Sequence, residues 1–190
     1  MIPTDKAREL LQAHGDLREQ PASDWNGEIP LPRPLIDFYR EVGPDNITIP
    51  TDGNDYFLPR LADLWSFQAG YRWNGITKER IPDWREEWIV VADQGGDPFI
   101  YSLETGTILL AAHGSDKWEP VEIFSSLNDL ACLGAIGNVV RDAGQDFTDD
   151  DCMIQEQYAD KLITDLTLLL GSKSGAKSAL WNLGYLPNQP

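Results

Sequence analysis

The sequence predicts an α+β fold in which an antiparallel sheet packs on helices. Its central segment, EWIVVADQGGDPFIYSLETGTILLAAHG, contains three β-rich runs that are separated only by DQGGDP and ETG. Connections this short join neighbouring antiparallel strands, so we expect a three-stranded meander. Apolar stripes with helical spacing precede and follow this segment. A sheet with one apolar face needs such helices as its cover.

Two helices and two short strands are expected at the start of the chain. The first 20 residues carry apolar side chains three to four positions apart, with Thr4 as the N-cap and Gly15 as the stop. The prolines of IPLPRPLIDFYREVGP suit the start of a second helix, which Gly43 and Pro44 should end. Residues with high β propensity then flank TDGND, which indicates a pair of short strands.

The central elements follow in order along the chain. They are a helix over 59–69, strands over 88–92, 99–103 and 107–112, and a closing helix over 124–136. The GGD between the first two strands should form a hairpin turn in which glycine supplies the positive φ. We expect the sheet to pack on the helices that contain Phe38 and Leu130.

The composition changes in the last third of the chain. Residues 141–165 hold eight acids and two bases, yet an apolar stripe predicts a helix that Thr148 and Asp149 cap and Gly171 ends. A last short helix is expected over 176–182. We therefore divide the chain into an N-terminal helix (1–22), a central domain (23–136) and a helical acidic extension packed on the same domain (137–190).

Length and charge exclude several classes of function. A chain of 190 residues suits one domain with decoration. Its 15 Lys and Arg against 31 Asp and Glu give a net charge of -16, which argues against non-specific nucleic-acid binding and against anionic membranes. The apolar runs are too short to span a bilayer and the N-terminus has no signal-peptide pattern. We predict a cytoplasmic protein with Cys132 and Cys152 reduced.

Metal and cofactor sites are not expected. The acidic segment DFTDDDCMIQEQ fails the calcium-loop template, because Asp151 stands where that loop requires Gly and Gln157 where it requires Glu. His14 and His113, the two histidines, lack the HExxH or Cys partners of a zinc site. The chain has no GxxxxGK[ST] loop for a nucleotide phosphate.

Catalytic residues are not expected either. The chain has no GxSxG elbow and no cysteine in a nucleophile signature. His113 could serve as a base, but a strand-end histidine in a turn is the commoner arrangement. Carboxylate pairs such as Glu86–Glu87 and Asp93–Asp97 keep a carboxylate-dependent hydrolase open as an alternative, because the distance that decides such a role does not follow from sequence.

Seven tryptophans are the least ordinary feature of the composition. Large aromatic side chains are enriched both in cores and at the hot spots of interfaces. We assign most of the tryptophans to the core, and Trp73 and Trp84 to a recognition surface. Aromatic residues beside carboxylates suit the binding of a basic protein.

Four sequence blocks together resemble a known family. LPRPLIDFYREVGP, FLPRLADLW, AGYRWN and WIVVADQGGDPFIYSLETGTILLAAHGSDKW are similar, in this order, to the SMI1/KNR4 family of the SUKH superfamily, over about residues 24–135. The resemblance implies a twisted, mainly antiparallel sheet flanked by helices, and it implies no catalytic residues. Many bacterial members of the family are immunity proteins that neutralise a toxin, often a nuclease, and fungal members are scaffolds.

Residues and resemblance together predict a non-enzymatic, cytoplasmic immunity protein that binds a basic, nuclease-type toxin domain. Carboxylates would raise the association rate and cover the phosphate-binding cations of a nuclease. The alternatives are an interaction scaffold unrelated to toxins and the carboxylate-dependent hydrolase. The residues expected to contact the partner are Trp73, Trp84, Glu86, Glu87, Asp93, Asp97, Asp116 and Glu119.

Overall fold

A six-stranded antiparallel sheet runs through the centre of the fold, with its strands in chain order. The computed structural model describes residues 1–114 and 117–187. The strands are β1 (Ile47–Ile49), β2 (Tyr56–Leu58), β3 (Trp88–Gln94), β4 (Asp97–Ser102), β5 (Ile108–Leu110) and β6 (Val121–Phe124). The helices are α1 (Thr4–Gln12), α2 (Arg33–Glu41), α3 (Leu61–Leu64), α4 (Ala131–Ala143), α5 (Glu156–Leu170) and α6 (Lys173–Asn182).

The predicted meander is confirmed. Strand β4 pairs with β3 on one side and with β5 on the other, and both pairs are antiparallel. Gly95 and Gly96 join β3 to β4 with φ of 61° and 105°, the signs that a type I′ hairpin turn requires. Strands β1 and β2 flank TDGND as predicted and extend the sheet. The α+β class is therefore confirmed.

The helix predicted over 59–69 is shorter in the structure. Helix α3 covers one turn, and a 3₁₀ turn at Ser66–Gln68 follows it. The cause is the buried amide of Gln68, whose Nε2 donates to the carbonyl oxygens of Leu64 (2.8 Å) and Val90 (2.9 Å). Its Oε1 accepts from the Val90 N–H at 2.9 Å. These bonds fasten the segment to β3 and end the helix.

The helix predicted over 124–136 is wrong in its first half. Strand β6 pairs with β5, and a 3₁₀ turn over residues 127–130 then leads into α4. Asp129 in this turn is fully buried and accepts hydrogen bonds from the Ile2 N–H and the Ser125 hydroxyl, both at 2.8 Å. The Asp129 carboxylate fixes the turn partly through its bond to Ile2, which is 127 residues away in sequence. Helical periodicity cannot reveal such a contact.

Glycines in α4 let α1 approach it closely. A Cβ at Gly134 would lie 2.7 Å from the backbone oxygen of Leu10, and one at Gly137 would collide with the side chain of Ile49. His14 forms a hydrogen bond with the Gly134 carbonyl through Nε2 at 2.8 Å. Helix α4 continues to Ala143, across the domain boundary predicted at residue 137.

The C-terminal extension forms α5 and α6, and α5 starts later than predicted. The Oδ1 atom of Asp149 accepts the backbone N–H groups of Asp151 (3.0 Å) and Met153 (2.9 Å), which holds the acidic run in a turn. Helix α5 begins only at Glu156 and ends, as predicted, at Gly171 in the left-handed conformation. It packs against α4 and α6.

The sheet is buried on both faces, whereas the sequence predicted one apolar face. The main core joins Phe38 and Leu130 to Ile89 of β3, as predicted. The opposite face is covered by the irregular segment 65–87, which follows α3. We call the cluster on this face the aromatic core, and it comprises Tyr71, Trp84, Trp88, Val90, Ile100 and Ala111, with Phe67 and Trp118 packed against it.

Candidate functional site

Trp84, which the sequence predicted at a recognition surface, lies inside the aromatic core. Its side chain is 1% exposed, and its ring centroid lies 5.3 Å from that of Trp88, 5.5 Å from that of Trp118 and 5.8 Å from that of Tyr71. Its indole N–H donates to the Trp88 carbonyl oxygen at 3.3 Å. This corrects the prediction of a surface anchor, because the Trp84 side chain instead holds the irregular segment on the sheet.

Trp73 lines an open cleft of about 660 Å³ on the outside of the irregular segment. Its ring packs on that of Trp65, with 5.0 Å between the centroids. Glu86 lines the same cleft, but Arg72 and Arg80 both form ion pairs with its carboxylate. We call this concavity, which Trp65, Trp73 and Glu86 line, the tryptophan cleft. Because two arginines pair with Glu86, its carboxylate is not the free acid that the sequence predicted for a partner.

A second concavity, of about 490 Å³, lies beside the β3–β4 turn. Asp93 forms its acidic wall, where the Tyr71 hydroxyl donates to Oδ2 at 2.9 Å and the Gly96 N–H donates to the same carboxylate. Phe67, Tyr71 and Trp118 form aromatic parts of the remaining walls. We call this concavity the aspartate pocket, and its principal residues are Phe67, Tyr71, Asp93, Gly96, His113 and Trp118.

The protonation of the aspartate pocket is set by its burial. Burial raises the pKa of the Asp93 carboxyl above its ordinary value, and the negative charge of Asp97 raises it further. The hydrogen bonds from Tyr71 and Gly96 act in the opposite direction. Burial and the charge of Asp93 also raise the pKa of Tyr71, so its hydroxyl remains a hydrogen-bond donor at neutral pH.

Asp97 lies beside the aspartate pocket and contacts His113, one of the lining residues. Its Oδ1 atom accepts the backbone N–H of His113 at 2.6 Å and lies 2.7 Å from the Nδ1 atom of the same residue. These contacts fasten the chain after β5 to the β3–β4 turn. Asp93 and Asp97 flank that turn in paired strands, which is why the structure brings both to one end of the sheet.

The remaining predicted acids lie elsewhere. Glu87 precedes β3 and is six residues, or about 20 Å of extended chain, from Asp93; its carboxylate lies 3.6 Å from Arg85. Glu119 is exposed and lines a separate concavity together with Glu104 of the β4–β5 turn. Asp116 lies outside the described residues. Of the described acids that were predicted, only Asp93 lines the aspartate pocket, and Asp97 contacts its lining residue His113.

Phe67 and Tyr71 were not predicted from the sequence as residues of the site. The contact between Tyr71 and Asp93 spans 22 residues of chain that has no regular periodicity, so local patterns do not show it. The available signal was the density of aromatic residues in LWSFQAGYRW, directly before the meander.

The described residues offer no evident metal centre or membrane span. Within 1–114 and 117–187, no group of three or more His, Cys, Asp or Glu side chains is placed to hold a metal ion. No helix in this part of the chain combines the length and the apolar character that crossing a bilayer requires.

Comparison with protein families identifies the central part of the chain. The model of the SMI1 / KNR4 family (SUKH-1) matches residues 25–131, which is more than half of the sequence. The chain belongs to the SMI1/KNR4 family. The match includes all six strands, the aromatic core and the aspartate pocket, and it ends where α4 begins. No curated protein and no solved structure matches this SMI1/KNR4 protein.

Family membership bears on function at a coarse level. SUKH proteins are generally immunity proteins, and they are typically non-enzymatic. This SMI1/KNR4 protein has a net charge of -16 and two concavities of different charge on one side of the sheet. Ser66 and Ala69 line both concavities, so the tryptophan cleft and the aspartate pocket are neighbours.

Proposed function

We propose that this SMI1/KNR4 protein is an immunity protein that binds a toxin in the cytoplasm and neutralises it without catalysis. Its membership of a family of immunity proteins is the observation that carries this proposal. The failure of each catalytic sequence template supports binding over turnover.

The proposed partner is a basic toxin domain of the nuclease type. A protein with a charge of -16 attracts a basic domain from a distance and repels nucleic acid. A nuclease needs cations around its phosphate-binding groove, and an acidic surface placed over that groove would exclude the substrate. Charge and family support the same role independently.

The proposed contact surface is the side of the sheet covered by the irregular segment. It holds the tryptophan cleft, with Trp73 half-buried, and the aspartate pocket, with Asp93 in its wall and Asp97 beside it against His113. Exposed carboxylates outside these concavities, such as Glu119, would act at a distance on the association rate. Half-buried groups inside them would be desolvated on binding and so govern dissociation.

A growth experiment tests the immunity role. The products of the genes that flank the gene for this chain are expressed inducibly in a bacterial host, with and without this chain. We expect one of them to arrest growth, its arrest to be relieved by this chain, and the two proteins to purify as a complex. A toxic neighbour that neither binds this chain nor is relieved by it would contradict the proposal, and a bound but harmless neighbour would favour the scaffold alternative.

A further inference from the structure

The aspartate pocket has a construction suited to a long cationic side chain. Phe67, Tyr71 and Trp118 supply aromatic walls, and Asp93 supplies a carboxylate at one side. Arginine and lysine side chains carry an apolar stem and a charged head, so they gain from aromatic walls along the stem and an acid at the head. The volume of about 490 Å³ leaves room for one such side chain.

The Asp93 carboxylate lacks the cation that comparable acids in this protein possess. Asp37, Asp45 and Asp165 have side chains that are 25–33% exposed, and each pairs with an Arg or Lys within 2.9 Å. Asp93 is also partly buried, but within residues 1–114 and 117–187 no cationic side chain forms an ion pair with it. Its two protein donors, Tyr71 and Gly96, are neutral groups.

The carboxylate still has acceptor capacity for a partner. An ionised carboxylate offers about four lone-pair positions, and the two donors from the protein occupy only part of them. Burial and the charge of Asp97 make the ionised form of Asp93 unfavourable, as its raised pKa reflects. An incoming cation would relieve both penalties, because it restores the electrostatic stabilisation that burial removes.

Two glycines in the lining of the pocket leave room for a side chain to enter. Gly96 and Gly114 both contribute to the lining and both have positive φ, of 105° and 84°. A Cβ at Gly96 would project to within 3.6 Å of the His113 ring, and the space around Gly114 is open. Glycine at these positions satisfies the backbone and adds no side chain of its own to the opening.

We propose that the aspartate pocket binds a single arginine or lysine side chain of the protein partner, with its head against Asp93 and its stem between the aromatic walls. The identity of the partner rests on the proposed immunity function, but the chemistry of the pocket does not. A cation buried here would be a central anchor, whereas charges at the rim contribute mainly to association.

The pocket is tested on the full chain with small probes, by backbone and indole NMR shifts. The probes are N-acetyl-arginine amide and N-acetyl-lysine amide, and N-acetyl-glutamine amide is the neutral control. We expect saturable, millimolar binding of the cationic probes, seen at the Gly96 amide and the Trp118 indole N–H. Asp93→Asn should weaken it about tenfold or more, since hydrogen bonds to charged groups are worth about 1.5–3 kcal/mol.

Two further variants separate the pocket from general charge and from folding. Glu104→Gln removes the same charge at the β4–β5 turn, outside the pocket, and should leave probe binding unchanged. Trp118→Leu removes an aromatic wall but keeps the carboxylate, and should weaken binding even if Asp93→Asn fails to fold. Absence of saturable shifts, equal binding of the glutamine probe, or equal binding by the folded Asp93→Asn protein would overturn the inference.

The results for probe binding and for toxin binding test the pocket and the immunity role separately. Probe binding without any toxin binding would support the pocket and remove the immunity role. Toxin binding that is unchanged by Asp93→Asn, together with no probe binding, would remove the pocket and leave the immunity role standing.

Discussion

Replacing Trp84 by alanine should destabilise the fold, because this ring is the centre of the aromatic core. The side chain is 1% exposed and packs edge-on against Trp88 and Trp118, at 83° and 90° between ring planes. Truncating a buried Trp to Ala costs about 3–5 kcal/mol. In a chain of this length, each kcal/mol lowers Tm by about 2–4 °C, so we expect Trp84→Ala to lower Tm by roughly 6–20 °C.

Calorimetry on Trp84→Ala measures this directly, with Trp73→Ala as the matched control. Trp73 is half-buried beside Trp65 in the tryptophan cleft and covers no part of the sheet. Its truncation should therefore lower Tm by much less, while it weakens binding of the partner. If Trp84→Ala melted within about 2 °C of the parent protein and lost only partner binding, Trp84 would be the surface anchor and the burial argument would be refuted.

Three further predictions concern charge and packing. Asp93→Asn should melt no lower than the parent at pH 7, because a raised pKa means that the ionised carboxylate of Asp93 disfavours the folded state. The difference in Tm between variant and parent should disappear as the pH falls through that raised pKa, since the parent carboxyl is then protonated. Calorimetry at pH 7 and about pH 4 tests this. Glu119→Lys should slow association with a basic partner and flatten its salt dependence in stopped-flow measurements, since exposed charges act within a Debye length of about 8 Å; an unchanged rate would contradict it. Gly134→Ala should cost about 1–3 kcal/mol in denaturant unfolding, because its Cβ would press on the Leu10 backbone, and an unchanged midpoint would contradict the close packing of α1 on α4.

The meander was predictable because its determinants are local. Runs of β-rich residues, two short connections and a Gly95–Gly96 turn fix antiparallel neighbours without reference to the rest of the chain. Strand β6 was not predictable in this way. Its four residues merge into an apolar run with helical spacing, and the turn that separates them from α4 depends on Asp129, which contacts Ile2 from the other end of the sequence.

The acidic end of the site was predictable and its surroundings were not. Asp93 and Asp97 flank a predicted hairpin turn, so the sequence places both residues at one end of the sheet. The accessibility of Trp84 and the charge of Glu86 depend instead on how the irregular segment folds over the sheet. The sequence of the irregular segment has no regular spacing of apolar residues that would predict its fold. The burial of Trp84 and the pairing of Glu86 with two arginines were therefore seen only in the structure.

We propose that this protein neutralises a basic toxin by binding it, with a cationic side chain of the toxin held in the aspartate pocket. The most direct measurement is titration of this chain into the purified toxin domain from the flanking gene, following the activity of the toxin, for the parent protein and for Asp93→Asn. We expect complete inhibition at one equivalent of the parent protein, and a dissociation constant raised about tenfold or more by Asp93→Asn. Full toxin activity in the presence of excess parent protein would contradict it.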